Sequence, residues 1–333
     1  MDADLIHDDA IVIDAVSPLT ADRKFIDWYR EGGVTLITPT VALIETADQT
    51  VKALASWRAY VEKRDDLIQV YTTADIEDAK RTGKTGVMFH FQGTDPIEDN
   101  LELIPVYAAL GVKVIQLCYN RRNRVGDGGS ERTDSGLSYF GLDVVAALNA
   151  ARVVVDCSHT GERTTLDAVE ASTSPVVVSH GNARALHPSE RNISDTVIRA
   201  IGENGGVVGA VGFPAFVSGD ARPSLDQFID HIVYVANMIG IDHVGLGLDY
   251  ASMQWPVMGD EEAIALYDRI IAAGAWRPEA YPPPPYYYPA GIETPRTLRA
   301  LTRRLVEREF DETSIRKILG ANWLRLYGEV WHG

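Results

Sequence analysis

The chain has 333 residues, 46% of them hydrophobic and 23% charged, an ordinary globular balance. A net charge of −16 repels phosphate backbones and excludes nucleic acid as an expected partner. Two cysteines, Cys118 and Cys157, both in apolar runs, exclude a disulfide scaffold and read as buried thiols.

Taken in chain order, the opening "MDADLIHDDA" is acidic and has neither the basic nor the apolar region of a signal peptide. No apolar run approaches the roughly 20 residues that span a bilayer, so the expectation is a soluble cytoplasmic protein with no membrane partner. Strand-like runs then fall at 10–14 ("AIVID"), 34–40 ("VTLITPT"), 86–92 ("GVMFHFQ"), 112–119 ("VKVIQLCY"), 152–159 ("RVVVDCSH"), 175–180 ("PVVVSH"), 206–213 ("GVVGAVGF") and 243–250 ("HVGLGLDY"). A shorter run, "LIQVY" (67–71), makes a ninth candidate. They are almost continuously apolar, as strands buried on both faces should be. Helical periodicity lies between them, over 45–64, 192–206 and 224–240 for example. Alternation of this kind predicts an α/β fold, a single (β/α)₈ TIM-type barrel domain over 1–333. A doubly wound open sheet is the alternative, weakened because no GxGxxG follows the first strand.

Two segments break the rhythm. "NRRNRVGDGGSERTDSG" (120–136) is polar and Gly-rich and follows a strand, so it reads as a long βα loop of the kind that builds active sites. "WRPEAYPPPPYYYPAGIETP" (276–295) reads either as a stiff polyproline spacer or as an aromatic wall over a pocket.

In a barrel, reactive groups gather at the C-terminal ends of the strands. The polar residues at those ends are Asp14, His90, Gln92, Tyr119, His159, His180 and Asp249. His159 and His180 end consecutive strands and could converge on one metal ion. A carboxylate at Asp249 could take a proton from water activated there. Asp156, inside a strand, is expensive to bury alone and should orient a neighbour or pair with an arginine. His90 shares a strand face with Gln92, one layer deeper, and reads either as a metal ligand or as a core residue packed on Asp14 or Asp249. Arg191, in "HPSERN", suits bidentate carboxylate binding, although spacing alone favours a surface salt bridge.

The pieces "GLSYFGLDVVAALNAARVVVDCSHTGERT", "SPVVVSHGNARALHPSERNISD", "IRAIGENGGVVG", "IGIDHVGLGLDY" and "IRKILGANWLRLYG" resemble the membrane (renal) dipeptidase family, peptidase family M19, among the amidohydrolase-like barrels. The resemblance covers most of the chain. It implies a two-metal hydrolase, and it places the family's paired metal histidines on His159 and His180. It places the substrate-carboxylate arginine on Arg191 and the proton-handling aspartate on Asp249. It also implies a homodimer. The chain departs from the family at four positions. The first-strand pattern Asp-x-His-x-Asp is here "DAVSP", so two ligands fall on Val16 and Pro18. The bridging glutamate falls on Gln92, and the carbonyl-polarising histidine on Tyr119.

The expectation is therefore a dipeptidase-like metallohydrolase with at most one divalent ion, Zn²⁺ by preference for imidazole, held by His159 and His180 with Gln92 or His90. The second family metal is expected to be absent. Asp249 and Tyr119 would be the catalytic groups, and Arg191 with Tyr119 would bind a small carboxylate-bearing amide, a dipeptide or an N-acyl amino acid. The alternatives are lyase- or isomerase-type proton transfer on a small carboxylate, and a homologue without catalysis.

Overall fold

The computed structural model describes residues 1–332. Its strands, in chain order, are β1 (Ile13–Asp14), β2 (Leu36–Ile37), β3 (Thr40–Ala42), β4 (Leu67–Gln69), β5 (Thr85–Val87), β6 (Phe89–Phe91), β7 (Val112–Gln116), β8 (Val154–Asp156), β9 (Val176–Val177), β10 (Val208–Ala210) and β11 (Val244–Leu246). All pairings between them are parallel.

β2 and β3 form one stave, as do β5 and β6. Eight staves then run in sequence order around a ring. A parallel bridge from Val178 to Val208 joins β9 to β10, and Ala15 N–H donates to the Leu246 carbonyl at 3.1 Å to join the last stave to the first. This is a closed (β/α)₈ barrel, with β4 as an extra strand on the edge of β5. The hydrogen-bonded ladders are shorter than the apolar runs that announce them, because each run continues into the buried turn above or below its stave.

The outer layer is made of amphipathic helices with ordinary start signals. Ser224 caps Leu225–Ile239 in a reciprocal capping box with Gln227, and that helix buries Phe228, Ile229, Ile232 and Val235 against the barrel. Ser138 and Ser194 cap the helices Tyr139–Ala150 and Asp195–Glu203 by accepting the Gly141 and Val197 amides. The long loop 120–136 is irregular, as its composition implies, but it is pinned. The Asp134 carboxylate accepts the Arg163 amide at 2.6 Å and the Thr164 amide at 3.2 Å, capping the helix Glu162–Ala171 from outside. Among the described residues no helix is long and apolar enough to cross a membrane.

The barrel interior is layered. Its lower layer is apolar: Ile13, Leu36, Met88, Val114, Val154, Val177 and Val207 pack on Trp323, Leu326 and Tyr327 of the last helix, Asn322–His332, which forms the floor. Gly245 makes this possible, since a Cβ there would collide with the Trp323 indole, whose N–H donates to the Leu246 carbonyl at 3.1 Å. Gly245→Ala is expected to lower stability by about 1–3 kcal/mol through overpacking. The check is the urea midpoint at constant m-value; an unchanged midpoint would mean that the floor is loosely packed. Two residues above the apolar layer along their strands, the inward positions turn polar, with His90, Gln116, Asp156 and Ser179 all buried.

Candidate active site at the barrel mouth

Three strand-end residues, Asn120, His159 and Asp249, hold left-handed backbone at φ 59°, 59° and 54° without being glycine. Such residues cost about 1–3 kcal/mol each and concentrate at functional sites. They mark one end of the barrel, the C-terminal ends of β7, β8 and β11.

His159 and His180 meet there, with Nε2 to Nε2 at 2.7 Å. The network behind them fixes their tautomers. Asn120 directs its amide N–H to the Ala275 carbonyl at 3.1 Å, so its Oδ1 faces His159 Nδ1 at 2.8 Å and that nitrogen carries the proton. Ser179 Oγ donates to Asp156 Oδ2 at 2.6 Å, so it must accept from His180 Nδ1–H at 2.8 Å. Both Nε2 atoms are therefore bare lone pairs, pointing at each other. Burial, reinforced by the Arg191 charge, holds both imidazoles well below the ordinary histidine range, which opposes a proton shared between them. Two imidazoles with protonated, acceptor-held Nδ1 and bare, converging Nε2 are arranged as metal ligands are. The donor chemistry suits one cation, which His159 and His180 would share once their Nε2 atoms part from 2.7 Å.

They do not extend to a larger set. Among the described residues no three of His, Cys, Asp and Glu gather as a metal-holding group. His90 turns away from the pair. Its Nε2 lies 3.3 Å from Asp156 Oδ2, and both residues are fully buried. Its partner is thus Asp156, not Asp14 or Asp249. Asp156 also accepts from the Ser158 and Ser179 amides, at 2.9 Å each, and pairs with no arginine. Burial is the largest influence and opposes its charge, but the contacts with His90, His180 and Ser179 together outweigh it and keep the carboxyl well below its ordinary range. The Gln92 amide makes no hydrogen bond to either imidazole, and Val16 is a buried apolar side chain.

Arg191 is 4% exposed, a fraction at odds with a surface salt bridge. Its Nε donates to the Tyr281 hydroxyl at 3.0 Å, its guanidinium lies 5.1 Å from the Phe216 ring centre, and its Nη2 has no partner. No carboxylate within ion-pair distance balances it among the described residues. With His159 it lines a cavity of about 190 Å³. Asp249 is half-buried; burial pushes its carboxyl up to about 7, with the Arg191 charge pulling the other way. Asp14, whose Oδ1 accepts the Leu248 amide at 2.8 Å, is likewise raised to about 7 by burial and helps tie the first stave to the last.

Tyr119 stacks on His159 with ring centres 4.1 Å apart. Its hydroxyl accepts the Trp276 indole N–H at 2.8 Å, which leaves the phenolic proton free to donate. Burial keeps that phenol well above its ordinary range, so it stays protonated. Trp276 stacks on Tyr281 at 4.3 Å and 7°. The segment 276–295 is therefore an aromatic wall of the site and not a surface spacer, and Tyr281, Tyr286 and Tyr288 are all buried. Asn120, Ser179, Trp276 and Tyr281 escaped the sequence reading as site residues. For Asn120 and Ser179 the usable signal was adjacency to Tyr119 and His180; for Trp276 and Tyr281 it was the aromatic-wall reading of 276–295. The buried His7 and His231 are packing residues, bonded to the carbonyls of Gly32 and Val217 at 2.8 Å each.

A closed parallel barrel with a bare, converging imidazole pair at its C-terminal mouth is a frame suited to a bound metal ion. The chain belongs to the membrane dipeptidase family, peptidase family M19, whose model matches residues 30–273. An uncharacterized Klebsiella pneumoniae protein from the pqqA 5′ region is 31% identical over 78% of this chain and 88% of its own length. The dipeptidase tcpJ of Claviceps purpurea is 29% identical over 63% of this chain, which spans about half (48%) of that longer protein. Among solved structures, an amidohydrolase from Pseudomonas aeruginosa superposes with a TM-score of 0.88 at 31% identity over the whole of both chains. The probable dipeptidase PvdM of the same organism shares the fold, with a TM-score of 0.82 at 19% identity over 99% and 98% of the two chains.

Proposed function

We propose that the protein hydrolyses small amides that carry a free carboxylate, dipeptides or N-acyl amino acids, with at most one divalent ion, zinc by ligand type. The observation that carries this reading is Arg191. A buried guanidinium with a free Nη2 and no carboxylate partner is expensive unless an anion arrives to complete it. A substrate carboxylate does so, and it places the adjoining amide beside the imidazole pair.

His159 and His180 would hold the cation through Nε2, oriented from behind by Asn120 and by Ser179 with Asp156. Bound there, a divalent ion supplies Lewis acidity toward a carbonyl and acidifies water. Tyr119 donates its phenolic proton as a hydrogen bond to the amide oxygen, and the bond strengthens as that oxygen gains charge. The Asp249 carboxylate takes a proton from the attacking water and returns it to the departing nitrogen. Trp276 and Tyr281 keep bulk water from the reacting atoms.

The test uses Arg191→Ala. It is expected to raise KM for N-acyl amino acids by about 10²-fold, the loss of a charge-assisted bidentate contact, and to leave the corresponding primary amides little changed. Equal losses for both would make Arg191 structural. Consumption of a carboxylate substrate without cleavage of its amide would replace hydrolysis with proton-transfer chemistry on the same Asp249 and Tyr119.

A further inference from the structure

The stretch "NRRNR" (120–124) puts three arginines on one rim of a strongly acidic chain. Arg122 is tied to Asp127, and Arg124 reaches Asp99 at 3.7 Å. Arg121, alone of the three, has no carboxylate partner among the described residues. Its guanidinium lies across the backbone of Gly274, where a Cβ would collide with it. Gly274 also has φ 69°, a left-handed backbone that favours glycine there.

Arg121 and Gly274 line a cavity of about 490 Å³ whose only acid is Asp95. Burial raises Asp95 above its ordinary range, which weakens it as a counter-ion. Two residues join this cavity to the imidazole pair. Tyr119 lines it and stacks on His159; Ala275 lines it, and its carbonyl holds the Asn120 amide that fixes His159. Tyr119 thus stands between the pair and the cavity, while Arg191 approaches His159 from the side of the 190 Å³ cavity.

We infer that the 490 Å³ cavity is a second substrate subsite that takes an anionic group on the acyl side of the amide, with Arg121 as its specificity determinant. The preferred substrates are then dianionic amides, one carboxylate on Arg191 and the other on Arg121. This rests on the carboxylate reading of Arg191. It is also an electrostatic device: an acidic protein repels a dianion, and a free arginine at the lip offsets that repulsion locally.

The test compares two uncleavable ketones by calorimetry on the full chain: 4-oxoheptanedioate, which mimics succinyl-glycine, and 4-oxoheptanoate, which mimics butyryl-glycine and lacks the second carboxylate. The wild type is expected to bind the dianion about tenfold tighter, a preference that shrinks as salt rises. Arg121→Gln should remove that preference and Arg121→Glu should invert it, with 4-oxoheptanoate binding reporting that each variant is folded. Arg191→Ala should weaken both ligands. Equal wild-type affinities, a preference that survives in Arg121→Gln, or no binding of either ketone overturns the subsite. A preference that follows Arg121 while Arg191→Ala changes nothing keeps the subsite and overturns the role given to Arg191.

Discussion

Protein purified without added metal is expected to carry at most one equivalent of a divalent ion, and none after His180→Ala. Two cations a few ångströms apart repel strongly, and a bridging anion makes such a pair tolerable. Gln92 brings a neutral amide to the bridging position, while Val16 and Pro18 bring no donor atom at all. What remains is the His159–His180 pair, whose bare nitrogens suit a single ion. Gln92→Glu alone should leave the count unchanged, because the first-strand ligands are still missing. Adding Val16→His and Pro18→Asp should raise it toward two. Elemental analysis decides: two equivalents in the native protein would show that other residues complete the site. In His180→Ala, turnover should fall to background along with the metal.

Asp249→Asn is expected to lower kcat by about 10²–10⁴-fold, the usual weight of a general acid–base group. The pH dependence carries a sign that checks the role. Burial raises the Asp249 carboxyl to about 7, so it is protonated below that pH and cannot accept a proton. As a base, it should make kcat/KM rise with pH and level off above about 7. A cation on the imidazole pair would pull the carboxyl down, moving the limb to lower pH in the metal-loaded protein. Asp249→Asn should flatten this limb as well as lower the plateau. A variant that loses activity but keeps the limb would assign the titration elsewhere, Asp14 being the other carboxyl raised to about 7.

The barrel was legible because strands covered on both faces must be apolar along their length, and runs such as "VKVIQLCY" and "PVVVSH" stand out against the polar helix faces between them. Even β4 was visible as "LIQVY". The imidazole pair was legible because both histidines end consecutive strands. The partner of His90 was not named in advance, although the same period-2 reading puts Asp156 on the inward face two residues beyond Val154. Tyr281 was harder still. It lies 90 residues from Arg191 in the chain, and nothing local says that its hydroxyl turns inward to meet that guanidinium. The inward packing of the 276–295 aromatics comes from stacking among Trp276, Tyr281 and Phe213, which composition suggests but does not place.

The helical floor has a consequence for how the molecule comes into being. Ile13 and Trp323 share one packed layer although almost the whole chain lies between them. During synthesis, the first stave waits for both its ring-closing neighbour at 244–246 and the tryptophan that fills the hole beneath it. Until the last helix emerges, the apolar underside of every stave stays wet and exposed. A chain interrupted before residue 244 leaves the ring open, one interrupted between there and 322 leaves it without its floor, and contacts so distant in sequence make refolding slow and dependent on dilution.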